Sequence, residues 1–487
     1  MDEIAASAVK SAPGSERPND IFRRFAQKFP PHIVFLILGG INAILLCFLT
    51  PPFQVPDEFQ HFFRSYQLSE GRLWGTVEDG RAGGQTPLSL QELVASTWGT
   101  LEVQKVPPLG RHPLSSVWSR YRQPLQASRK RFAWFITADY SPLMYIPQTA
   151  AIAVGRMADA APIMLLTLGR LANAIFAVAA IAWALKILPA GSEMALAIAL
   201  FPMAQFEYGS VAPDATIIAS GYLLTAILLT ATRQAKWPAV KLSASVVAAG
   251  ILGAKVVYAP LFAIAAPALF RWRNTARPLE TALKAALPHL LMAVLAVGLT
   301  VLWLKSSAAA SAATTAHAAM ASKIAGIGAH PLRFTALLFT DLRSHLLRYV
   351  LSAIGVLGHW TIVLPNYVYV LAIVSIVLAI SVQQDVKDVH MIDIVWCLML
   401  AFVVFVLVQT ALYVTFASPE GFRENSGVQG RYFLPLGALV AATAGSAKGM
   451  MPKSKHPTFF LYALLIAILF VDTLSLDATI ITHFHLF

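Results

Sequence analysis

Acidic side chains closely follow the first apolar segment of the chain, in the run PPFQVPDEFQHFFRSYQLSEG at residues 51–71. Asp57 and Glu58 come after a proline-rich break and before a helical pattern, as helix N-cap residues do. A carboxylate at the rim of an apolar bundle can remove a proton from a hydroxyl nucleophile, so both are candidate catalytic residues. His61 and Arg64 lie about one turn further on, near the same helical face, and are candidate substrate ligands. The competing interpretation is that Asp57 only caps a helix and Glu58 is solvated.

A second acidic position follows a proline in the run FPMAQFEYGSVAPDATI at residues 201–217. Asp214 opens an apolar segment and is a third candidate catalytic acid, while Glu207 lies a little deeper and is a candidate substrate ligand. The alternative is that Asp214 is the N-cap of the helix that follows. A topology derived from loop charge places Asp57 and Asp214 at the same face of the bundle, which capping alone does not require.

Two isolated basic residues have apolar neighbours. Lys255 stands in GILGAKVVYAP (250–260), at the tip of a predicted hairpin that also contains Tyr258, and Arg170 stands in LTLGRLANA (166–174). An ionisable group at membrane depth is a functional candidate, so Lys255, Tyr258 and Arg170 are candidate substrate ligands. The alternative is that Lys255 and Arg170 extend their long side chains to the membrane surface.

A glycine-containing run, SGVQGRYFLPL at residues 426–436, precedes the tenth predicted span. Gln429, Arg431 and Tyr432 stand at the mouth of that span and are candidate substrate ligands. An arginine can bind a phosphate through two parallel hydrogen bonds in a partly dry site. The alternative is a structural arginine that holds a carboxylate of an outer loop.

A basic stretch without Asp or Glu runs from residue 105 to residue 131, with aromatic residues between the charges. Such a stretch suits an anionic lipid-linked substrate or an acidic glycan, and equally the headgroups of anionic phospholipids. Its members are Lys105, Arg111, Trp118, Arg120, Tyr121, Arg122, Arg129, Lys130 and Arg131, followed by Trp134.

Composition decides the class of protein. Hydrophobic residues make up 57% of the 487 residues and charged residues only 13%, against about 25% in a soluble domain. The net charge of +12 arises from basic residues between apolar runs, where they orient the chain and touch lipid headgroups, so nucleic acid is not an expected partner. Cys47 and Cys397 lie inside apolar runs and indicate neither a disulfide framework nor a zinc site.

Lys and Arg concentrate in short cytoplasmic loops, and this rule orients the spans. The polar tail, residues 1–31, is predicted to be disordered and cytoplasmic. Segment 143–155 is short and contains Pro147 and Gln148, so we interpret it as an interfacial helix, which leaves all basic short loops inside. This interpretation predicts about 11 spans. Two of them form a hairpin that turns at Lys255, and the others lie near residues 33–50, 164–188, 192–210, 214–232, 283–304, 366–382, 391–416, 431–447 and 458–476.

The predicted fold class is therefore an all-α polytopic membrane protein, whose transmembrane domain covers residues 32–476. Its outer segments are 51–163, 305–365 and 417–430, and residues 477–487 form a short outer tail. Amphipathic helices are expected in the long first segment, lying on the membrane surface.

An ordered set of motifs resembles a known superfamily. The acids after the first span, the interfacial helix and the acid after the third span are similar to those of the GT-C membrane glycosyltransferases. VPDEFQHFFRSYQLSEG, DYSPLMYIPQ, VAPDA, the Lys255 hairpin and GVQGRYFLPL resemble more specifically a bacterial family of polytopic membrane proteins catalogued as domain of unknown function 2142. The likeness covers most of residues 33–475.

This resemblance implies a GT-C-like bundle in a bacterial inner membrane, with its active site on the periplasmic face. Such enzymes transfer a hexose or pentose from a polyprenyl-phosphate donor to a surface glycan or lipid-linked acceptor, here with expected inversion. Asp57 or Glu58 would be the base, Asp214 would match the acid of the second loop, and Lys255 and Arg431 would face the lipid phosphate. Some GT-C members also bind a divalent metal such as Mg²⁺ or Mn²⁺ at the early acid.

Two other functions use similar features. A flippase or transporter of lipid-linked saccharides also needs a basic groove, but predicts charges throughout the depth of the bundle. A polymerase or ligase of surface polysaccharide, or an acyltransferase acting on it, would depend on an outer-loop Arg or His pair.

Overall fold

The computed structural model describes residues 28–98, 114–234, 238–267, 278–311, 315–383, 390–416, 427–449 and 458–486. Within these ranges the chain is predominantly helical, as its composition predicts, with two small antiparallel sheets. Most of the predicted tail at 1–31, most of the outer segment 417–430, and Lys105 and Arg111 lie outside the described residues.

The α-helices follow one another along the whole chain. They are α1 (Pro31–Leu49), α2 (Glu58–Ser69), α3 (Leu88–Trp98), α4 (Leu114–Ser119), α5 (Ile146–Met157), α6 (Pro162–Ile187), α7 (Ser192–Ala199), α8 (Pro202–Tyr208), α9 (Asp214–Gln234), α10 (Ala239–Gly253), α11 (Pro278–Ser311), α12 (Thr315–Ala329), α13 (Pro331–Gly355), α14 (Asn366–Val382), α15 (Met391–Phe416), α16 (Gly437–Gly449) and α17 (Thr458–Phe484). The strands are β1 (Thr76–Glu78), β2 (Arg81–Pro87), β3 (Lys130–Trp134), β4 (Val356–Leu357) and β5 (Ile362–Val363). Short 3₁₀ helices cover Arg120–Arg122, Pro142–Tyr145, Val256–Ala263 and Gly430–Leu436.

Several helices are suited to a lipid environment. Among the described residues, five stretches are long and apolar enough to cross a membrane, namely α1, α6, Ala286–Ser307 of α11, α15 and Phe460–Phe484 of α17. Three shorter apolar helices accompany them, Asp214–Thr230 of α9, α10 and α14. Because the apolar side chains of α11, α14 and α15 remain largely exposed on the protein surface, lipid is the solvent that they fit.

Some predicted spans differ from the helices that the structure contains. The segment 192–210 is broken into α7 and α8 at Pro202, since proline lacks the N–H that would continue the helix. The segment 431–447 begins as a 3₁₀ helix around Pro435 and becomes α-helical only in α16. Helix α17 continues to Phe484, so most of the outer tail predicted at 477–487 is helical.

The first outer segment contains a sheet as well as the expected short helices. Strands β1, β2 and β3 form an antiparallel sheet in that order, with β2 in the centre. The sequence RAGGQTP of β2 has no alternation of apolar and polar residues and carries two adjacent glycines, so no strand was predicted there. Ala133 and Phe135 are buried against the aromatic residues of α2, and this tertiary packing stabilises the sheet.

Helix α6 is the centre of the bundle and contacts α1, α5 and α9 along its length. Ala174, Ala177 and Ala184 are fully buried on its surface. Their small side chains allow the neighbouring helices to approach α6 closely. The first outer segment joins the same helix through a separate apolar cluster in which Phe62 and Phe63 of α2 meet Leu166 of α6. The outer segment is therefore part of the folded core.

Helix α9 and the 3₁₀ helix Gly430–Leu436 pack with their backbones in contact. A Cβ atom added at Gly221 of α9 would collide with the backbone carbonyl of Pro435, and one at Gly437 would collide with the hydroxyl of Tyr222. These glycines allow the segment that carries Arg431 to lie directly on α9. A larger residue at either position must displace that segment.

We expect Gly221→Ala to lower the free energy of unfolding by about 1–3 kcal/mol, because the methyl group overpacks this contact. Thermal unfolding of the purified protein in detergent measures the effect. Gly298→Ala is the matched control, since position 298 of α11 has no neighbouring atom within 4 Å and alanine favours a helix by up to about 1 kcal/mol. Equal behaviour of the two variants would contradict the close packing at Gly221.

Candidate functional site

The ends of several helices enclose a cavity of about 630 Å³. Some of its lining residues are charged or polar, and others are apolar. The polar lining consists of Asp57, Gln60, His61, Thr137, Tyr140, Asp214, Lys255, Tyr258, His359, Thr415, Arg431 and Tyr432. The apolar lining includes Val256, Val257, Val408, Ala411, Leu412 and Phe416.

The cavity brings together candidate residues that lie far apart in the sequence. Asp57 follows α1, Asp214 begins α9, Lys255 follows α10 and Arg431 precedes α16, and all four line this one space. The juxtaposition of Asp57 and Asp214 that loop charge predicted is therefore present. His61, Tyr258 and Tyr432 of the predicted set line the cavity as well.

Asp57 stands at the N-cap position of α2 but does not act as a cap. Its side chain accepts no capping hydrogen bond, and its backbone is left-handed, with φ of 60°. A non-glycine residue in this conformation is strained, and such strain is often found at functional sites. The carboxylate lies 3.2 Å from an Nη of Arg431, and 42% of the side chain is exposed. The capping interpretation of Asp57 therefore does not account for its carboxylate.

Arg431 connects two acids across the bundle. Its guanidinium is 2% exposed and donates to Oε1 of Glu207 at 3.0 Å and to Oδ2 of Asp57 at 3.2 Å. Glu207 is fully buried in α8, behind the cavity wall. Among the described residues, neither Nε of Arg431 nor Oε2 of Glu207 has a hydrogen-bond partner. Buried groups of this kind are costly, so the pair is a site where a water or a ligand group would be stabilised.

A second ion pair lines the same cavity. Nζ of Lys255 donates to Oδ1 of Asp214 at 3.1 Å and is 5.9 Å from the centre of the Tyr432 ring. Burial alone would lower the pKa of Lys255, but the carboxylate of Asp214 raises it above its usual value, so the ammonium is charged. An ammonium has three N–H donors, and the 21% exposure of this side chain leaves donors available to the cavity. The hydroxyl of Tyr258 donates to the carbonyl of Tyr432 at 2.8 Å and fixes the aromatic part of the wall.

Two neutral histidines complete the lining. Burial lowers the pKa of His61 to about 4 and that of His359 to about 4, so both imidazoles are uncharged near neutral pH. Nδ1 of His61 lies 2.7 Å from the hydroxyl of Tyr145. The ring nitrogens can therefore exchange hydrogen bonds with a polar substrate without adding charge.

Sequence reasoning missed His359 as a site residue. It lies in the turn between β4 and β5, where Gly358 and Trp360 have φ of 60° and 66°. The guanidinium of Arg348 covers the Trp360 ring at 4.4 Å and fixes the turn. The triplet Gly-His-Trp after an amphipathic helix was the available signal, because a turn of this composition presents its central side chain outward.

Glu58 and Arg170 form a buried ion pair away from the cavity. Arg170 donates to both oxygens of Glu58, at 2.7 and 2.6 Å, and to the carbonyl of Thr50 at 2.7 Å. Glu58 also accepts from the backbone N–H groups of Phe53 and Val211. The carboxylate therefore has its hydrogen-bonding positions filled and no access to a substrate. Glu58 and Arg170 therefore join parts of the fold, whereas the sequence predicted a catalytic role for Glu58 and a substrate-binding role for Arg170.

Arg64 and Gln429 also lie outside the cavity lining. Arg64 is buried and donates to the carbonyls of Tyr140 and Leu73, at 2.7 and 2.8 Å. Gln429 precedes the 3₁₀ helix Gly430–Leu436, and its carbonyl accepts from Tyr432. Each of them shapes a loop that carries a lining residue. Neither lines the cavity, where a substrate ligand would lie.

The donor set of the cavity does not suit a divalent cation. In the described part of the chain, no group of three or more His, Cys, Asp or Glu residues could hold a metal ion. One oxygen each of Asp57, Asp214 and Glu207 accepts from Lys255 or Arg431, so Mg²⁺ or Mn²⁺ would compete with these cations for the carboxylates.

Comparison with known proteins gives a family. A family model described as a predicted membrane protein (DUF2142) matches residues 41–440, which include every lining residue of the cavity. The chain belongs to this family. No curated protein matches the chain, and no solved structure matches it.

We expect Arg170→Met to destabilise the protein by about 3–5 kcal/mol, because it leaves the charge of Glu58 buried without its partner. Thermal unfolding in detergent measures the loss. Lys284→Met is the control: Lys284 pairs with Glu280 at 2.5 Å and its side chain is 68% exposed, so its pair contributes about 0–1 kcal/mol. A loss for Arg170→Met no larger than that of the control would show that the buried pair does not stabilise the fold.

Proposed function

We propose that this member of the DUF2142 family is an integral membrane glycosyltransferase. It transfers a sugar from a polyprenyl-phosphate donor to a surface glycan or lipid-linked acceptor at the extracytoplasmic face of a bacterial inner membrane. The observation that carries the proposal is the carboxylate of Asp57, which caps no helix and faces a cavity that also contains two cations and an apolar wall. Resemblance of the ordered motifs to GT-C enzymes supports the same reaction class.

Asp57 is the proposed general base. A base must reach the acceptor hydroxyl to within about 3 Å, and Asp57 is the most exposed of the paired carboxylates in the cavity, at 42% against 8% for Asp214. Arg431 holds one carboxylate oxygen at 3.2 Å, which leaves the other for the hydroxyl proton. Asp214 holds Lys255 in position.

Lys255 is the proposed partner of the lipid phosphate. A phosphate leaving group develops negative charge as its bond to the sugar breaks, and a preorganised cation stabilises that charge. The ammonium of Lys255 has donors directed to the cavity, whereas the Nη of Arg431 nearest the cavity already contacts Asp57 and the Tyr432 hydroxyl. The geometry therefore favours Lys255 over Arg431 for this contact.

The apolar wall suits the polyprenyl chain. It is built from one face of α15, at Val408, Ala411 and Leu412, while Phe402 on the same helix is 62% exposed towards the lipid region. A chain of isoprene units that enters beside α15 would leave the membrane lipid and contact the apolar wall of the protein. This transfer costs little free energy, because both surroundings are apolar. Its phosphate would then meet the charged wall.

The reaction balances with these groups. The acceptor oxygen attacks the anomeric carbon while Asp57 takes the hydroxyl proton, and the bond from that carbon to the phosphate oxygen breaks. The electron pair leaves with the polyprenyl phosphate beside Lys255. Base and phosphate on opposite sides of the sugar give inversion at the anomeric carbon. No other reactant is required.

A flippase or transporter of lipid-linked saccharide is the second candidate, and one observation favours it. Polar side chains lie deep in the bundle: the amides of Asn42 and Gln205 lie 2.8 Å apart, and Asp472 of α17 is 2% exposed. Intramembrane groups of this kind are common in transport pathways. Purified protein in detergent separates the two, because a transferase releases polyprenyl phosphate there and a flippase releases none.

A gene deletion is expected to remove the transferred sugar from the surface polysaccharide. We expect the Asp57→Asn protein, expressed in the deletion strain, to restore less than about 1% of that sugar, since a general base contributes at least about 100-fold to the reaction rate. Mass spectrometry of the polysaccharide measures this. Asn tolerates the left-handed backbone of position 57, so the fold is kept. Asp159→Asn is the matched control, because Asp159 is also left-handed, with φ of 50°, but is exposed outside the cavity. Full restoration by Asp57→Asn, at wild-type abundance, would remove Asp57 as the base.

We expect Lys255→Met to lower kcat for the lipid donor by about 100-fold or more, because the leaving phosphate loses its cation. Release of polyprenyl phosphate by the purified protein gives the rate. Lys255→Arg keeps the charge and should retain more activity, and Lys241→Met, at the other end of α10, should behave as wild type. Wild-type turnover in Lys255→Met would end its assignment to the phosphate.

A further inference from the structure

The sheet of the first outer segment has one face that the core does not cover. Directly paired residues of an antiparallel sheet project to the same side, so the register Gly83↔Trp134, Gln85↔Phe132 and Thr76↔Gly83 defines this face. The neighbouring positions Gly84, Thr86 and Ala133 are buried on the other side. We call the open face the platform, formed by Thr76, Glu78, Arg81, Gln85, Phe132 and Trp134 around the buried Gly83.

The platform combines aromatic rings with polar side chains. Phe132 and Trp134 are half-buried and two residues apart on β3, and the Phe132 ring lies over Gly83, where an added Cβ atom would be 2.8 Å from it. The guanidinium of Arg81 lies 5.7 Å from the Trp134 ring, and Nε2 of Gln85, beside Phe132 in the register, donates to Glu78 at 3.0 Å. Sugar rings stack their C–H faces on aromatic rings and exchange hydrogen bonds with amide and guanidinium groups at the edge. The chemistry of the platform is that of a carbohydrate-binding surface.

The platform is rigidly joined to the cavity. Ile136 lies two residues beyond Trp134 and lines the cavity, and two residues span at most about 7 Å. The backbone N–H of Ile136 donates to Gln60 of α2 at 3.0 Å, and Nε2 of Gln91 donates to the carbonyl of Arg131 at 2.9 Å. A ligand on the platform therefore lies close to the part of the cavity lining formed by Ile136.

We propose that the platform is the binding site for the acceptor, and that the acceptor is an oligosaccharide or polysaccharide chain whose end reaches the cavity. This inference rests on the proposed transferase function and gives the class of its acceptor. The polyprenyl donor enters along the apolar wall at α15, and the acceptor lies over the sheet, so the two substrates approach Asp57 from different directions. The transferase thus acts on a glycan of several sugars in preference to a single sugar.

The binding test uses surface polysaccharide from the source cells, released from its lipid by mild acid, and the full-length protein in nanodiscs. Isothermal titration gives the dissociation constant. We expect Trp134→Ala to raise it about tenfold, the effect of losing one aromatic stack, and Arg81→Ala to raise it severalfold. Phe339→Ala is the matched control, since Phe339 is 69% exposed on α13 and belongs neither to the sheet nor to the basic stretch. Arg81 is exposed at the surface, so its variant remains informative if Trp134→Ala fails to fold.

The outcomes separate this inference from the transferase proposal. Unchanged affinity in both platform variants, or no binding of the polysaccharide to wild type, overturns the acceptor site. Platform-dependent binding without release of polyprenyl phosphate supports the glycan site and rejects the transferase. If the protein transfers sugar and Trp134→Ala leaves KM unchanged for both long and short acceptors, the transferase is supported and the platform is rejected as the acceptor site. Asp57→Asn should bind the polysaccharide as wild type does.

Discussion

The ion pair of Glu58 and Arg170 is the interaction on which the site depends. It joins α6 to the end of α1, to the start of α2 and to the turn before α9, because Arg170 also binds the carbonyl of Thr50 and Glu58 also binds the N–H of Val211. Glu58 faces inward, whereas its neighbour Asp57 lines the cavity and has a left-handed backbone. The anchored Glu58 thereby fixes the position of the residue next to it.

The charges of the cavity are arranged as fixed pairs. Asp214 holds Lys255, and Arg431 bridges Glu207 and Asp57. Buried ion pairs stabilise a fold only modestly, since desolvation opposes their attraction, but they hold each group in one orientation. A site with its dipoles and charges oriented beforehand spends little energy on reorganisation during a reaction. The neutral His61 and His359 add hydrogen bonding without disturbing this balance.

The first outer segment and the membrane bundle form one unit. Phe62 and Phe63 pack α2 against α6, while the carbonyl of Asp139 accepts from the indole of Trp303 in α11. The cavity therefore lies between a sheet-bearing surface on one side and apolar helices on the other. This position gives Asp57 two chemically distinct surroundings, a polar surface on one side and apolar helices on the other.

Composition and apolar runs were enough to predict a helical membrane protein, and α14 and α15 have the predicted bounds 366–382 and 391–416. Burial in lipid requires long apolar helices whatever their neighbours, so this level of structure is local. The motifs also located Asp57, Asp214, Lys255 and Arg431 near helix ends. Other features depended on residues distant in the sequence, namely which acid faces the cavity, which pair anchors the fold, the strand of RAGGQTP and the place of His359. Glu58 and Arg170 are separated by 112 positions, and Pro87 of that strand pairs with Lys130. Only the packed chain brings such partners together, because hydrogen bonds and ion pairs act over a few ångströms and leave no periodic pattern in the sequence.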